Sequence, residues 1–245
     1  SASITVPASA ATRDGASQQL RPGETSLPNV IVENAINRMF ESVRRENDTH
    51  GTVSVAKVSE MVEEIVMPIV DEEVMAQFVL GRTWTQMSEE QRKEFIQLFK
   101  DVMIYTYAGA LSEFVYYKPN FFPFKHDSSA QRVTIRLEIT RPEGPAVPMQ
   151  FRLRQTREGW KVYDALVDGI SLVASYRNLF ADVVRTNGIE GMLQKMRSDR
   201  DAAVQRRNES ATVGGSAAPA KGTTDTSSAP AKKPGRPYSA LPIQA

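Results

Sequence analysis

The chain is 245 residues long and carries 30 Lys and Arg against 29 Asp and Glu, a formal net charge of +1. This length favours one large domain with tails over two domains, and the balanced charge gives no nucleic-acid footprint. There is no cysteine, which excludes disulfides and thiolate chemistry, and the only two histidines, His50 and His126, lie far apart in the sequence. We therefore expect no metal site and no nucleic-acid partner.

Two segments lack the apolar content of a folded core. Residues 1–27 are rich in Ser, Ala, Thr, Gly and Pro, and residues 208–245 in Ala, Pro, Gly and Lys. We predict a disordered N-terminal segment and a disordered tail around a folded domain at 28–207. The chain starts at Ser1 without a methionine, which is compatible with a secretory signal peptide that has been removed. The longest apolar stretch, at 102–111, is too short to span a bilayer.

Three amphipathic helices are predicted first. Apolar residues recur at helical spacing from 28 to about 46, with Asn29 as the expected cap. They recur again at 54–66, where Pro68 stops the helix, and at 71–80, which ends at a glycine. Each helix has one polar side, so each should lie at the surface with its apolar stripe turned inward.

The longest predicted helix spans about 88–116. Ser88 and Gln91 have the spacing of a capping box, in which each side chain bonds the backbone N–H of the other residue. The second half of this helix is apolar nearly all round, so we expect it to be buried on most sides. The following segment, 117–128, contains two prolines and is interpreted as an irregular edge strand.

The clearest pattern is the strict alternation of apolar and polar residues between 131 and 167. Pro- and Gly-containing breaks at 141–145 and 157–159 divide it into three segments. Alternation with short breaks predicts a three-stranded antiparallel meander with one apolar side. The apolar side of the first two strands comprises Val133, Ile135, Leu137, Ile139, Val147, Met149, Phe151 and Leu153.

The other side of these strands is basic. Arg132 and Arg136 share it with Arg152 and Arg154. We expect this side to meet a covering helix or an acidic partner surface. Two last helices, at about 171–206, are separated by an Asn–Gly turn.

Five short motifs resemble the MlaC family, the toluene-tolerance auxiliary proteins of Gram-negative bacteria. They occur in the family's order and spacing, and the resemblance covers roughly residues 28–206. The motifs are VLGRTW at 79–84, MSEEQR at 87–92, WKVYD at 160–164, DGISL at 168–172 and NGIEGML at 187–193.

The resemblance implies an α+β fold, in which a curved antiparallel sheet packs against several helices as a cone like that of nuclear transport factor, with a hydrophobic cavity. It implies a periplasmic, non-enzymatic phospholipid carrier that maintains outer-membrane lipid asymmetry. Its partners would be an outer-membrane lipoprotein–porin complex and an inner-membrane ABC transporter complex of the Mla type, with only transient proximity to a membrane. The phospholipid would be cargo, and no cofactor is expected.

The acyl chains would lie between the sheet and the helices, where a dry surface without charges suits them. We chose apolar residues on the dry sides of the strands and of the facing helices, with Phe99, Val102 and Met103 as the helix wall opposite the sheet. The candidate lipid-binding residues are Val74, Phe78, Phe99, Val102, Met103, Tyr107, Val133, Ile135, Leu137, Met149, Phe151, Leu153, Val162, Leu166 and Ile170.

Two other functions stay open on the residues alone. The apolar side could belong to a filled core, which would make the chain an interaction module. A small-molecule enzyme on the same fold would need an acid or base in the cavity, and Tyr163 and Asp164 are the nearest candidates. Adjacent strand residues point to opposite sides, so this pair should not enter one pocket. Arg82 is either a solvated or capping side chain or a buried partner of Asp164.

Overall fold

The computed structural model of the chain describes residues 27–111 and 115–213. The predicted disordered segments lie outside the described residues, apart from Leu27 and the stretch at 208–213. Helix α1 spans Pro28–His50 and ends where Gly51 adopts a left-handed φ of 73°.

The start of α1 differs from the prediction. Proline at the first helical position is preorganised for a helix and lacks only an N–H that would have no intrahelical partner. Helix α1 therefore begins directly after Leu27, and Asn29 lies inside it. The Asn29 amide donates a hydrogen bond of 3.2 Å to the Glu33 carboxylate rather than capping the helix.

Helix α2, Val55–Met61, is capped by Ser54 and continues as a π-helix at Val62–Val66 and a 3-10 turn at Met67–Ile69. Pro68 has no N–H and its ring crowds the preceding turn, so regular α-helix cannot continue through it. The Met67 N–H accordingly bonds the carbonyl of Val62, five residues back. The predicted stop at the proline is confirmed.

Three more helices follow. Helix α3, Glu72–Leu80, is capped by the Asp71 side chain, and helix α5 spans Glu89–Leu111. The capping box at the start of α5 is confirmed, since its two reciprocal bonds measure 3.1 and 3.2 Å. Helix α4, Arg82–Gln86, was not predicted, because five residues are too few to show a helical period.

The sheet has five antiparallel strands in sequential order, which confirms the α+β class and the central meander. The two short outer strands are edges of this meander. The strands are β1 Lys118–Phe121, β2 Arg132–Thr140, β3 Val147–Thr156, β4 Gly159–Val167 and β5 Ile170–Ser171.

Helix α6, Leu172–Val213, closes the described chain. It is interrupted at Gly188, whose φ of 69° and ψ of −179° are not helical, so the predicted Asn–Gly turn is a kink between two arms. The second arm extends past the expected end of the folded domain at residue 207. Helix-forming residues such as Glu209 and Ala211 allow the backbone to continue although no apolar period remains.

Three apolar clusters form the interior. The first, which we call the sheet cluster, joins α1 to the sheet and comprises Val32, Phe40, Ile135, Leu137, Ile139, Leu153, Trp160 and Val162. The second, the helix cluster, joins α3, α4, α5 and α6 and includes Phe95, Phe99, Val102, Tyr176, Phe180 and Met192. The third joins α1, α2 and α5 and includes Met39, Val43, Val58 and Ile104. Among the described helices, none is long and apolar enough to cross a membrane.

Candidate functional site

The apolar side of the sheet is built from cross-strand pairs of β2 and β3. Ile135 lies opposite Phe151, and Leu137 lies opposite Met149, so alternate residues of both strands share one side as predicted. The two β2 residues are buried, at 1% and 0% exposure, whereas their β3 partners are only half-buried. Because α1 covers β2 more completely than β3, part of the apolar surface of β3 remains accessible.

Helix α1 covers the apolar side of the sheet. The prediction that Phe99, Val102 and Met103 of α5 form the helix wall opposite the sheet is wrong for this structure. Val32 and Phe40 of α1 pack against the strands in the sheet cluster. Phe99 and Val102 belong to the helix cluster, where the Phe99 ring meets the Tyr176 ring edge-on at 5.2 Å. Helix α5 is apolar on several sides, and the structure uses these sides against α3 and α6 and against α1 and α2.

The helix cluster also contacts the sheet at β4. The Phe78 ring of α3 contacts the Tyr163 ring of β4 edge-on, with 5.5 Å between centroids. Two residues further along β4, Ala165 lies opposite Phe151 of β3. Half-buried apolar side chains of the helices and of β3 therefore flank the same part of β4.

The fifteen predicted residues separate by burial. Seven are buried in the interior: Phe99, Val102, Ile135, Leu137, Leu153, Val162 and Leu166. Ile170 is exposed. The remaining seven are half-buried, and we call them the half-buried apolar set: Val74, Phe78, Met103, Tyr107, Val133, Met149 and Phe151.

A β-bulge decides where Asp164 points. The tight β3–β4 turn pairs Leu153 with Val162, and a regular ladder would then place Asp164 opposite Phe151 on the apolar side. The register instead shifts by one residue at Tyr163, so that Asp164 lies opposite Arg152. The bulge thus removes a carboxylate from the apolar side of the sheet.

Asp164 is 2% exposed and fully engaged. It accepts hydrogen bonds from Arg152 at 3.1 Å, from the Ser171 hydroxyl at 2.7 Å and from the Val173 N–H at 3.2 Å. The alternative that Arg82 is the buried partner of Asp164 is wrong, because the Arg82 side chain is exposed. The carboxylate joins β3 and β4 to the start of α6, which is a structural role rather than that of an acid or base.

The basic side of the sheet is also confirmed by the register, which places Arg132 opposite Arg154. Arg152 pairs with Asp164, and the Arg154 Nε lies 3.3 Å from an Asp71 oxygen. Arg132 and Arg136 are exposed, and neither forms an ion pair with another residue that the structure describes.

The sequence did not indicate that two tyrosine hydroxyls would lie as polar groups inside the helix cluster. The hydroxyls of Tyr107 and Tyr176 are buried, and neither has a hydrogen-bond partner within the described part of the chain. Burial raises the pKa of both phenols, and for Tyr107 the neighbouring Tyr176 raises the pKa further. An unpaired buried hydroxyl costs about 1–3 kcal/mol, so this pair needs a physical explanation.

Two grooves lie on the outer surface of α1, α2 and α5. One, of about 510 Å³, is bordered by Glu60, Glu63, Glu64 and Asp101 together with Tyr105. The other, of about 600 Å³, is lined mainly by polar residues of α1 and α2. Neither contains a residue of the predicted lipid site. In residues 27–111 and 115–213, no group of three or more His, Asp and Glu side chains is placed to hold a metal ion.

The fold and the two-sided sheet together define the class of the protein: an α+β domain whose helices cover the apolar side of an antiparallel sheet and leave arginines on the other side. The chain belongs to the MlaC family, whose model, described as MlaC protein, matches residues 33–198. The resemblance carried by the five sequence motifs is thereby confirmed.

Individual relatives agree with this assignment. The intermembrane phospholipid transport system binding protein MlaC of Haemophilus influenzae is 26% identical over 176 residues, which cover 71% of this chain and 81% of that protein. The toluene tolerance protein ttg2D of Pseudomonas putida is 27% identical over 125 residues, or 51% of this chain and 58% of the relative. A phospholipid-binding protein from Ralstonia solanacearum, solved in complex with a phospholipid, is 28% identical with a TM-score of 0.66, covering 72% of this chain and 98% of that one.

Proposed function

We propose that this protein is a periplasmic phospholipid carrier that moves lipid between the outer membrane and an inner-membrane ABC transporter. The observation that carries the proposal is the half-buried apolar set, in a family whose Ralstonia solanacearum relative was solved with a phospholipid. Its partners would be an outer-membrane lipoprotein–porin complex and a transporter complex of the Mla type, and transport would maintain outer-membrane lipid asymmetry.

The chemistry of the half-buried apolar set suits acyl chains. Its seven members carry no charge, and Tyr107 contributes the one polar atom, a hydroxyl. Acyl chains need apolar contact area and no directed hydrogen bonds, and each methylene that leaves water contributes about 0.8 kcal/mol. Two long chains therefore supply ample affinity without a charged pocket, and the head group can stay at the surface.

The buried members of the predicted site would join this contact only when the helix cluster separates from the sheet, except Leu166, which lies opposite Gln150 on the other side of the sheet. The Phe78 and Tyr163 rings are in contact where the helix cluster meets β4, so we place the opening there. A partner that binds the opened form more tightly than the closed form would shift the protein towards release. The chain itself then needs no nucleotide and no catalytic residue.

Native mass spectrometry of the full chain purified from a Gram-negative host tests this proposal. We expect adducts with the masses of phospholipids, and phospholipid uptake by the delipidated protein from vesicles. A protein that is purified without lipid and takes up none from vesicles contradicts the carrier function and favours the interaction module.

A further inference from the structure

The hydroxyls of Tyr107 and Tyr176 are two polar groups in otherwise apolar surroundings, and we call them the hydroxyl pair. Tyr107 lies on α5 and Tyr176 on the first arm of α6. The Tyr176 side chain is fully buried, and its ring packs edge-on against Phe99 and face-on against Phe180, with centroid distances of 5.2 and 6.1 Å. No described side chain or backbone group completes a hydrogen bond with either hydroxyl.

The two hydroxyls are near neighbours. Each influences the pKa of the other, and the Thr106 hydroxyl also lies close to Tyr176. Phenols are protonated at physiological pH, and burial raises the pKa of both hydroxyls further above the ordinary value. Each phenol can both donate and accept, so even when one hydroxyl donates to the other, one O–H of the pair is left without an acceptor.

Tyr107 belongs both to the hydroxyl pair and to the half-buried apolar set. Its side chain is half-buried, and Met103, one helical turn away on α5, is half-buried too. Both pack at the margin of the helix cluster. A ligand that lies along the half-buried apolar set would thus pass close to the hydroxyl pair.

We propose that Tyr107 and Tyr176 donate hydrogen bonds to an acyl-ester carbonyl oxygen of the bound glycerophospholipid, an inference that rests on the proposed function. An ester carbonyl accepts hydrogen bonds and carries no donor of its own, so it complements two neighbouring donors. It is uncharged, which fits a site bordered by aromatic rings, whereas a buried phosphate would require a cationic partner. The pair would fix how far a lipid enters, and the acyl chain beyond the ester would continue along the apolar side of β3.

Uptake from vesicles of diacyl phosphatidylethanolamine and of its diether analogue, which has the same chains and no carbonyl, tests this inference in the full chain. For the wild type we expect the diacyl lipid to bind on the order of fivefold to tenfold more tightly. Tyr107→Phe, Tyr176→Phe and the double variant should lose this preference while still binding the diether lipid. Tyr105→Phe, on the same helix but beside the acidic groove, should keep it.

Thermal unfolding of the delipidated variants separates this role from a structural one. Removing an unpaired buried hydroxyl should leave Tm unchanged or raise it. A fall in Tm for Tyr176→Phe with an unchanged lipid preference would overturn the inference, because the hydroxyls would then bond each other or Thr106. Equal binding of both lipids by the wild type overturns it as well, whereas binding of neither lipid contradicts the proposed carrier function itself.

Discussion

The two sides of the sheet differ although the same strands build them. On one side, Ile135 and Leu137 are closed over by α1, while Met149 and Phe151 of β3 stay half-buried. On the other side, Arg152 and Arg154 are each paired with a carboxylate, and Arg132 and Arg136 are exposed. We propose that lipid binds on the apolar side and partners bind on the basic side, and the predictions below test this proposal.

The largest effect is expected at Asp164, the carboxylate that the bulge turns to the basic side. Asp164→Ala leaves the Val173 N–H and the Ser171 hydroxyl without their acceptor, and hydrogen bonds to charged groups contribute about 1.5–3 kcal/mol each. We expect a loss of roughly 3 kcal/mol in the free energy of unfolding, measured in urea. The control Asp182→Ala removes an exposed carboxylate paired with Arg185 and should change stability by less than about 0.5 kcal/mol. Equal effects of the two variants would show that Asp164 is not a structural centre.

The apolar side should respond differently at closed and at half-buried positions. Leu137→Trp adds volume where exposure is 0%, and overpacking should cost the delipidated protein about 1–3 kcal/mol. Val133→Trp, on the same strand and side but half-buried, should leave Tm near that of the wild type and reduce bound phospholipid. Thermal unfolding with lipid extraction measures both quantities. If Val133→Trp destabilises the protein as much as Leu137→Trp and the lipid content is unchanged, this side is a filled core.

The basic side should affect partners without affecting lipid. Reversing the two exposed arginines in Arg132→Glu/Arg136→Glu should change stability by no more than about 0.5 kcal/mol and leave the lipid content unchanged. Binding to an acidic partner surface should weaken, mainly through a slower association that depends on salt. Lys93→Glu, an exposed charge on α5, serves as the control. Loss of lipid in the arginine variant with intact partner binding would reverse the assignment of the two sides.

The smallest expected effect is a pH dependence of stability, which arises at an ion pair away from both sides of the sheet. The Arg197 guanidinium hydrogen-bonds Glu94 and holds the pKa of that carboxyl below its ordinary value. A lowered pKa stabilises the folded state above the unfolded-state pKa of about 4.3, and this contribution is lost as pH falls through the folded-state pKa. Because both side chains are partly exposed, we expect less than about 1 kcal/mol. Unfolding of Glu94→Gln and wild type from pH 7 to pH 3 should show a stability difference that shrinks with acidification, and a constant difference would exclude this linkage.

The sequence predicted the sides of the strands but not the partners of the helices. Alternation is a local property, so the register of Ile135 with Phe151 and the shared side of the arginines followed directly from it. An amphipathic stripe, in contrast, shows that a helix face is buried without showing what covers it. Both α1 and α5 carry such stripes, and only the tertiary structure shows that α1 is the helix that covers the sheet.

The partner of Asp164 could not be predicted for a related reason. The turn at 157–159 sets the register of β3 and β4, and regular pairing from this turn would place Tyr163 opposite Arg152. The bulge adds one residue and replaces Tyr163 with Asp164. No residue type in β4 indicates this bulge, since the strand contains neither a glycine nor a proline between Trp160 and Val167.

The central claim is that phospholipid occupies the apolar side of the sheet, and two adjacent residues of β3 test it most directly. Met149 is half-buried on the apolar side, and Gln150 points to the basic side opposite Arg136. Phospholipid per protein should be measured by extraction from the purified full-length wild type, Met149→Glu and Gln150→Glu, with circular dichroism to confirm that all three are folded. We predict that Met149→Glu loses most of its lipid, whereas Gln150→Glu retains the wild-type amount. Equal lipid in the two folded variants, or greater loss in Gln150→Glu, would contradict the claim.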